Sequence, residues 1–355
     1  MKKQGSNAID IVKSDTTKIN DVDFNNLIFG RIFTDHMFIC DFENNEWQTP
    51  KIIPYQAMSM DPSARVFHYG QAVFEGMKAY KDDNGKVWMF RPEDNFNRII
   101  KSAARLAMPA FPKEYFFEGL TNLLKLDSDW IKPGKGNSLY IRPFIIATDS
   151  AISASPSNNY RFMIICSPAS AYYTEKIRVL VAEKYSRSAN GGVGFAKAAG
   201  NYAAQFYPTI LAQKKGFQQV IWTDADTHQK LEEAGTMNVF FRINYTLITA
   251  PISDRILDGI TRKSLIQLAE DNNIKVEVRS ITVTEIKEAS KNGTLKEVFG
   301  AGTAAIISPF SAFEHIEELF ELPNIENSYA ELLKDKMLNI QHNLAEDKHG
   351  WRFEV

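Results

Sequence analysis

The first half of the chain alternates apolar and polar positions as β-strands do, and two helical patterns interrupt this alternation. Strands are predicted over residues 32–42, 64–92, 138–148 and 160–173. Within 64–92 the strands end in a hairpin, because Asp83, Asn84 and Gly85 suit a tight turn. Apolar residues at helical spacing predict helices over 91–108 and 114–131. Strands and helices without regular alternation indicate an α+β arrangement.

The second half continues the mixture. Further strands are predicted over residues 176–187, 218–225, 238–243 and 246–251. Further helices are predicted over residues 201–217, 261–273, 281–293 and 330–346. The first of these helices stops at Gly216. With 355 residues the chain is long enough for about two domains. The predicted division is 1–173 for a smaller N-terminal domain and 174–355 for a larger C-terminal domain.

Composition excludes several classes of function. A net charge of −2, with scattered basic residues, gives no basis for binding nucleic acid or a membrane surface. Cys40 and Cys166 are far apart in apolar surroundings, which argues against a disulfide scaffold or a cysteine-based metal site. We expect no bound metal, no secretion signal and a reducing, cytoplasmic compartment.

Lys197 is the first candidate for chemistry, because it lies alone in the glycine- and alanine-rich stretch NGGVGFAKAAGNY. The phosphate-binding loop of nucleotide-binding proteins needs Gly before the lysine and Ser or Thr after it, whereas Ala196 and Ala198 stand there. A dinucleotide fingerprint fails as well. Two interpretations stay open: a surface lysine beside a loop, or an amine that forms a Schiff base with a carbonyl cofactor such as pyridoxal phosphate.

Such a cofactor needs an acid for its ring nitrogen and a site for its phosphate. Glu233 lies beside a Gly-Thr turn and before an apolar strand, and a pyridinium would be a good partner for a buried carboxylate there. Gly259, Ile260 and Thr261 begin a helix whose free amides can bind an anion. The turn GAGTAAIISP offers the hydroxyl of Thr303. Each feature alone is equally consistent with a solvated turn or a helix cap.

Four stretches in this order, FHYGQAVFEGMKAY, KAAGNY, EAGTMN and FGAGTAA, resemble the branched-chain amino acid aminotransferases. These are pyridoxal 5'-phosphate enzymes of fold type IV, and the similarity runs from about Phe29 to the C-terminal HGWRFEV. The resemblance implies an α+β, two-domain fold with a strand-rich C-terminal core. It also implies a homodimer that exchanges amino groups between leucine, isoleucine or valine and 2-oxoglutarate by a ping-pong mechanism.

The resemblance also assigns roles at the cofactor. Lys197 matches the lysine that binds the cofactor covalently, and Tyr202 the tyrosine that contacts its phenolic oxygen. Glu233 matches the acid at the ring nitrogen. The positions that match phosphate-binding residues are Arg98, Arg187, Ile260, Thr261 and Thr303. The helical pattern itself places Arg98 nearly opposite the apolar stripe and predicts an exposed side chain.

The side-chain pocket for the substrate is implied by the same resemblance. The aromatic positions that match its walls are Tyr69, Phe74, Tyr140 and Tyr172. Arg142 matches the residue for carboxylates of acidic substrates, and Thr303 and Ala304 match the turn that faces the α-carboxylate. Singly, the aromatic residues favour core packing in strands.

Two departures from the family pattern stand out. Ala305 and Ser308 replace the redox pair of cysteines that some members carry. The loop 149–159, expected to reach the partner subunit's site, is smaller and more polar than in some relatives. The alternatives are a D-amino acid aminotransferase or a lyase of the same fold, and a non-catalytic protein that binds a phosphate ligand.

Overall fold

The computed structural model describes residues 9–170 and 176–355, and these residues fold into two compact units. Residues 196–199 and 340–355 group with the first unit, although most of the chain around them groups with the second. The predicted domain boundary at 173/174 lies outside the described residues and stays a prediction. No helix among the described residues is long and apolar enough to cross a bilayer.

The first unit contains a sheet of ten strands with three helices. Its strands are β1 (Asp10–Ile11), β2 (His36–Glu43), β3 (Glu46–Trp47), β4 (Lys51–Pro54), β5 (Ala72–Phe74), β6 (Met77–Lys81), β7 (Val87–Phe90), β8 (Ser138–Ala147), β9 (Tyr160–Ala169) and β19 (Arg352–Glu354). Its helices are α1 (Arg65–Tyr69), α2 (Pro92–Arg105) and α3 (Lys113–Leu126). The strand order is β1-β4-β2-β9-β8-β6-β7-β19, with β3 beside β2 and β5 beside β8.

Local sequence explains most of these elements. Pro92 begins α2, and Glu93 and Asp94 lie in its first turn. Gly85 has a φ of 79°, which suits the turn between β6 and β7. One prediction is wrong: α1 replaces the first of the strands expected over 64–92, and this helix ends at Gly70, which adopts a left-handed conformation.

An aromatic core fills the first unit. Phe111 and Phe162 stack with ring centroids 3.8 Å apart, and Phe38 meets Phe162 edge to face. Phe116 packs on the same ring. These buried rings stabilise the contact between the sheet and α3 by removing apolar area from water.

The second unit contains a sheet of nine strands. Its strands are β10 (Ile177–Val181), β11 (Gln219–Thr223), β12 (Leu231–Ala234), β13 (Met237–Ile243), β14 (Thr246–Thr249), β15 (Lys275–Val278), β16 (Leu295–Gly302), β17 (Ile306–His315) and β18 (Glu318–Glu321). The helices in this part of the chain are α4 (Gly200–Lys214), α5 (Ile260–Asp271), α6 (Val283–Lys291) and α7 (Tyr329–Gln341). The strand order is β12-β11-β10-β17-β16-β13-β14-β15, with β18 beside β17.

Pairing of β12 with both β11 and β13 closes a ring through β10, β17 and β16. Strand β10 is parallel to β11 and β17, whereas the pairs β12–β13 and β16–β17 are antiparallel. The mixed sheets and helices confirm the predicted α+β class.

Candidate active site

The candidate residues fall into two groups, one in each unit. In the first unit, residues 196–199 lie alongside β5. The Phe74 amide donates to the Lys197 carbonyl at 3.1 Å, and the Ala199 amide donates to the Ala72 carbonyl at 3.0 Å. The Lys197 amide donates to Ser102 Oγ at 2.9 Å. The lysine backbone is therefore fixed from both sides.

The small neighbours of Lys197 have a structural reason. Ala196 and Ala198 are both buried, while Lys197 itself is half-buried. The Lys197 ammonium lies 4.8 Å from the centre of the Phe74 ring. The backbone around this amine is held tightly, and its long side chain projects beside an aromatic ring.

Arg98 is buried, so its predicted exposure is wrong. Only 7% of its surface is accessible, because its guanidinium makes a double hydrogen bond with the fully buried Glu75. Asn95 donates to the same carboxylate at 2.7 Å. Ser102 Oγ donates to the Arg98 carbonyl at 2.8 Å and accepts from the Lys197 amide. Arg98 and Lys197 are thus held by one hydrogen-bonded network.

Two of the aromatic candidates in this unit occupy adjacent strands. Phe74 and Tyr140 lie in β5 and β8, and the Arg142 guanidinium lies 4.6 Å from the Phe74 ring centre and 5.4 Å from that of Tyr140. Arg142 also donates to the Tyr140 hydroxyl at 3.2 Å. The three side chains therefore lie together, with the Arg142 guanidinium against the two aromatic rings. Tyr69 lies on α1, and Tyr172 lies outside the described residues.

In the second unit, Glu233 occupies strand β12 rather than a turn. It is 3% exposed, and its carboxylate accepts a hydrogen bond from the Leu257 amide. Arg187 Nε lies 3.4 Å from Glu233 Oε2. Arg187 also donates to the carbonyls of Gly194 and Arg255 at 3.1 and 2.7 Å. Arg187 therefore compensates the buried negative charge of Glu233.

Ile260 and Thr261 are the first two residues of α5. The residue before them, Gly259, gives no side-chain cap, and the first turn contains no acidic residue. A Cβ at Gly259 would overlap Asn238 Oδ1. The amides at this helix start therefore suit an anion, and only glycine fits the close approach to Asn238.

Tyr202 lies in the first turn of α4, five residues after Lys197, and is half-buried. Thr303 and Ala304 form the turn between β16 and β17 and are also half-buried. Ile306, just after this turn, has a φ of 62°, which is rare for a β-branched residue. A strained turn at this position fits a role in holding a ligand.

Sequence reasoning missed three contributors: Glu75, Ser102 and Asn238. Glu75 stands in the quoted stretch FEGMKAY, where an acid among apolar residues signals a buried, paired carboxylate. Asn238 donates to the Leu257 carbonyl at 3.0 Å and so supports the segment whose amide reaches Glu233. Ser102 carried no signal, since its partner Lys197 is 95 residues away in sequence.

Comparison with known proteins identifies the family. The profile of the class IV amino-transferases matches residues 72–313. Branched-chain-amino-acid aminotransferase 2 of Bacillus subtilis (strain 168) is 44% identical over 349 residues, covering 97% of this chain and 96% of that protein.

Solved structures share the fold. The branched-chain aminotransferase of Thermoproteus uzoniensis, crystallised with norvaline, superposes with a TM-score of 0.75 at 23% identity, covering 90% of this chain and 99% of that one. The branched-chain amino acid aminotransferase of Thermobaculum terrenum, in its PLP-form, gives a TM-score of 0.72 at 20% identity, covering 90% and 98%. The predicted fold type is confirmed, and the chain belongs to the class IV aminotransferases, among the branched-chain-amino-acid aminotransferases.

Proposed function

We propose that the chain transfers the amino group of L-leucine, L-isoleucine or L-valine to 2-oxoglutarate, using pyridoxal 5'-phosphate in a ping-pong cycle. The observation that carries this function is 44% identity, over nearly the whole chain, to a branched-chain-amino-acid aminotransferase. Membership in the class IV family supports the cofactor, and a solved structure of the same fold is the PLP-form of its enzyme.

The residues present fit this cofactor. The start of α5 has uncapped amides and no acid, which suits a phosphate. Glu233 is a buried carboxylate, which suits a protonated ring nitrogen. Lys197 supplies the amine. When bound, pyridoxal phosphate supplies a carbonyl that condenses with amines and a ring that accepts electrons from Cα.

Lys197 is the proposed catalytic base. Its amine would carry a proton from the substrate Cα to the cofactor carbon that bears the transferred amino group. The network through Ser102 and the β5 backbone holds the lysine so that only its side chain has to move. Glu233 holds a proton at the ring nitrogen, and Tyr202 donates to the phenolic oxygen.

We assign the phosphate to the amides of Ile260 and Thr261, the hydroxyl of Thr303, and the charges of Arg98 and Arg187. For Arg98 the support is its position in the network that reaches Lys197. Arg187 contacts Glu233 directly, so its charge acts at the acid as well as on the phosphate.

We assign the substrate side chain to the wall formed by Phe74 and Tyr140, together with Tyr69 and Tyr172. Arg142, stacked on that wall, is the proposed contact for the second carboxylate of 2-oxoglutarate. Thr303 and Ala304 face the α-carboxylate. Leucine, isoleucine and valine differ by a methylene or its position, worth about 1–3 kcal/mol, so one pocket serves all three.

A cytoplasmic homodimer is part of the proposal. Several large apolar side chains are exposed in the single chain, as expected for surfaces that a second copy covers; they include Phe67, Ile152, Phe206 and Tyr207. The oligomeric state is measurable by sedimentation equilibrium.

Product analysis tests the function. Purified protein with added cofactor and 2-oxoglutarate is expected to convert L-leucine, and not D-leucine, to 4-methyl-2-oxopentanoate with equimolar L-glutamate. Turnover of D-leucine alone would favour a D-amino acid aminotransferase. Binding of the cofactor without any transfer would favour the non-catalytic alternative.

A further inference from the structure

Arg65, which the family assignment does not use, makes several hydrogen bonds to a single loop. It begins α1 and is only 6% exposed. One of its terminal nitrogens donates to the carbonyl and hydroxyl of Ser155 and, at 2.8 Å, to the Pro156 carbonyl. The other donates to Ser153 Oγ at 3.0 Å. All these acceptors belong to the loop 149–159 between β8 and β9.

The backbone adds further ties between α1 and this loop. The Arg65 amide donates to the Asp149 carbonyl at 3.0 Å, and the Ala151 amide donates to the Ser63 carbonyl at 3.1 Å. Arg65 Nε lies 4.0 Å from Asp149 Oδ2. The first residues of the loop are therefore anchored by the backbone to the start of α1, and its middle is held by the Arg65 side chain.

Tyr69 lies one helical turn after Arg65, and its hydroxyl donates to the Ile152 carbonyl in the same loop. This bond sets the direction of a phenol ring that is 46% exposed. Because Arg65 holds Ser153, Ser155 and Pro156, the acceptor for Tyr69 occupies a fixed place.

The arginine side chain is required by this geometry. A planar guanidinium can serve several acceptors from neighbouring residues at once, whereas a lysine ammonium is a point charge on a flexible stem. Without Arg65 the carbonyls of Ser155 and Pro156 lose their donor. A loop with few apolar contacts is then expected to open more often.

We propose that Arg65 is a positioning residue for substrate selectivity: it fixes the loop 149–159 so that the Ile152 carbonyl orients the Tyr69 ring. The inference rests on the proposed place of Tyr69 in the side-chain pocket. It predicts that selectivity for branched side chains depends on a residue that does not itself touch the substrate.

The test compares Arg65→Gln, Arg65→Lys and Tyr69→Phe with Arg161→Gln. Arg161 is the matched control, because it also makes a double hydrogen bond, with Asp41, in the same unit but does not contact the loop. The readouts are kcat and KM for L-leucine and L-alanine, hydrogen exchange of the loop 149–159, and the cofactor absorbance. We expect Arg65→Gln to raise the KM for leucine about tenfold, worth about 1.4 kcal/mol, with kcat within about threefold.

The leucine-to-alanine preference is expected to fall, the loop to exchange faster, and cofactor absorbance to be retained. Tyr69→Phe is expected to show the same KM shift without the faster exchange, and Arg65→Lys a partial rescue. If Arg65→Gln fails to fold, Tyr69→Phe and Arg65→Lys carry the test. Unchanged KM and selectivity in an active Arg65→Gln protein, despite faster loop exchange, would overturn the inference. A wild-type protein that does not turn over leucine would instead overturn the proposed function.

Discussion

Glu75 and Arg98 form a buried, doubly hydrogen-bonded ion pair, with N–O distances of 2.6 and 2.8 Å. Burial alone acts to raise the pKa of Glu75, but the charge and hydrogen bonds of Arg98, together with the charge of Lys197, outweigh it and lower that pKa. The carboxylate therefore stays ionised and keeps Arg98 in one orientation in the network that leads to Lys197.

Replacing Glu75 by Gln leaves the Arg98 charge buried without its anion. We expect Glu75→Gln to lower the free energy of unfolding by about 3–5 kcal/mol, measured by urea denaturation of the cofactor-free protein. Arg161→Gln breaks a more exposed pair with Asp41 and is expected to cost at most about 1 kcal/mol.

The same pair predicts a pH dependence. The folded pKa of Glu75 lies below its ordinary value of 4.5, so the stability that it contributes is present above that pH and is lost as the pH falls through the folded value. The stability difference between wild type and Glu75→Gln should therefore shrink as the pH falls below about 4.5. Equal loss of stability by both proteins in this range would contradict the assignment.

Glu233→Gln tests the acid at the ring nitrogen. Glutamine can still accept from the Leu257 amide but carries no charge, so a bound ring would not be held protonated. We expect kcat to fall about 100- to 1000-fold while the cofactor is retained, measured by steady-state kinetics and absorbance. The control is Glu232→Gln. Glu232 is the residue next to Glu233 but pairs with Arg255, so this variant should keep kcat nearly unchanged.

Gly259→Ala tests the anion site at the start of α5. The backbone φ of −70° tolerates alanine, so the effect is steric: the new methyl group displaces Asn238. We expect the dissociation constant for pyridoxal phosphate to rise at least about tenfold, measured by titration.

Gly119→Ala is the matched control for a steric clash, because the added Cβ would overlap the Phe38 ring in the core of the first unit. It is expected to lower the melting temperature without weakening cofactor binding. If both variants bind the cofactor as wild type does, the start of α5 does not hold the phosphate.

His342 predicts a second pH effect, on stability. It is 2% exposed and packs edge to face on Tyr80, and neither ring nitrogen has a hydrogen-bond partner among the described residues. Burial, assisted by the charges of Lys78 and Lys135, lowers its pKa from 6.5 to about 4. As the pH falls from 6.5 towards 4, the unfolded chain takes up a proton that the folded protein does not, and stability falls.

His342→Phe keeps the ring contact and removes the titration. Between these pH values the wild type is expected to lose about 2 kcal/mol more than the variant, after allowance for solvent screening. Parallel curves of melting temperature against pH for the two proteins would show that His342 titrates normally.

Periodicity predicted the long elements well. Helix α2 lies within its predicted range, α3 begins one residue before its range, and Gly85 forms the predicted turn, because these features depend on residues close in sequence. Helix α1 was missed, since five residues are too short to show a helical period and Val66, Phe67 and Tyr69 favour strands.

The burial of Arg98 could not be predicted from its helix alone. The helical pattern shows only the apolar stripe of α2, whereas the partner that makes burial possible, Glu75, lies 23 residues earlier, between β5 and β6. The same holds for the contacts of Arg65 with Ser155, which are 90 residues apart. Motifs predicted the chemistry of Lys197 and Glu233, and nonlocal partners determine how each is held.

Covalent trapping at Lys197 tests the central claim most directly. The protein is loaded with pyridoxal phosphate, reduced with borohydride, digested and mapped by mass spectrometry. We predict one phosphopyridoxyl group, on Lys197, and neither label at this position nor transamination in Lys197→Ala. A label on another lysine, or undiminished turnover by Lys197→Ala, would contradict the account.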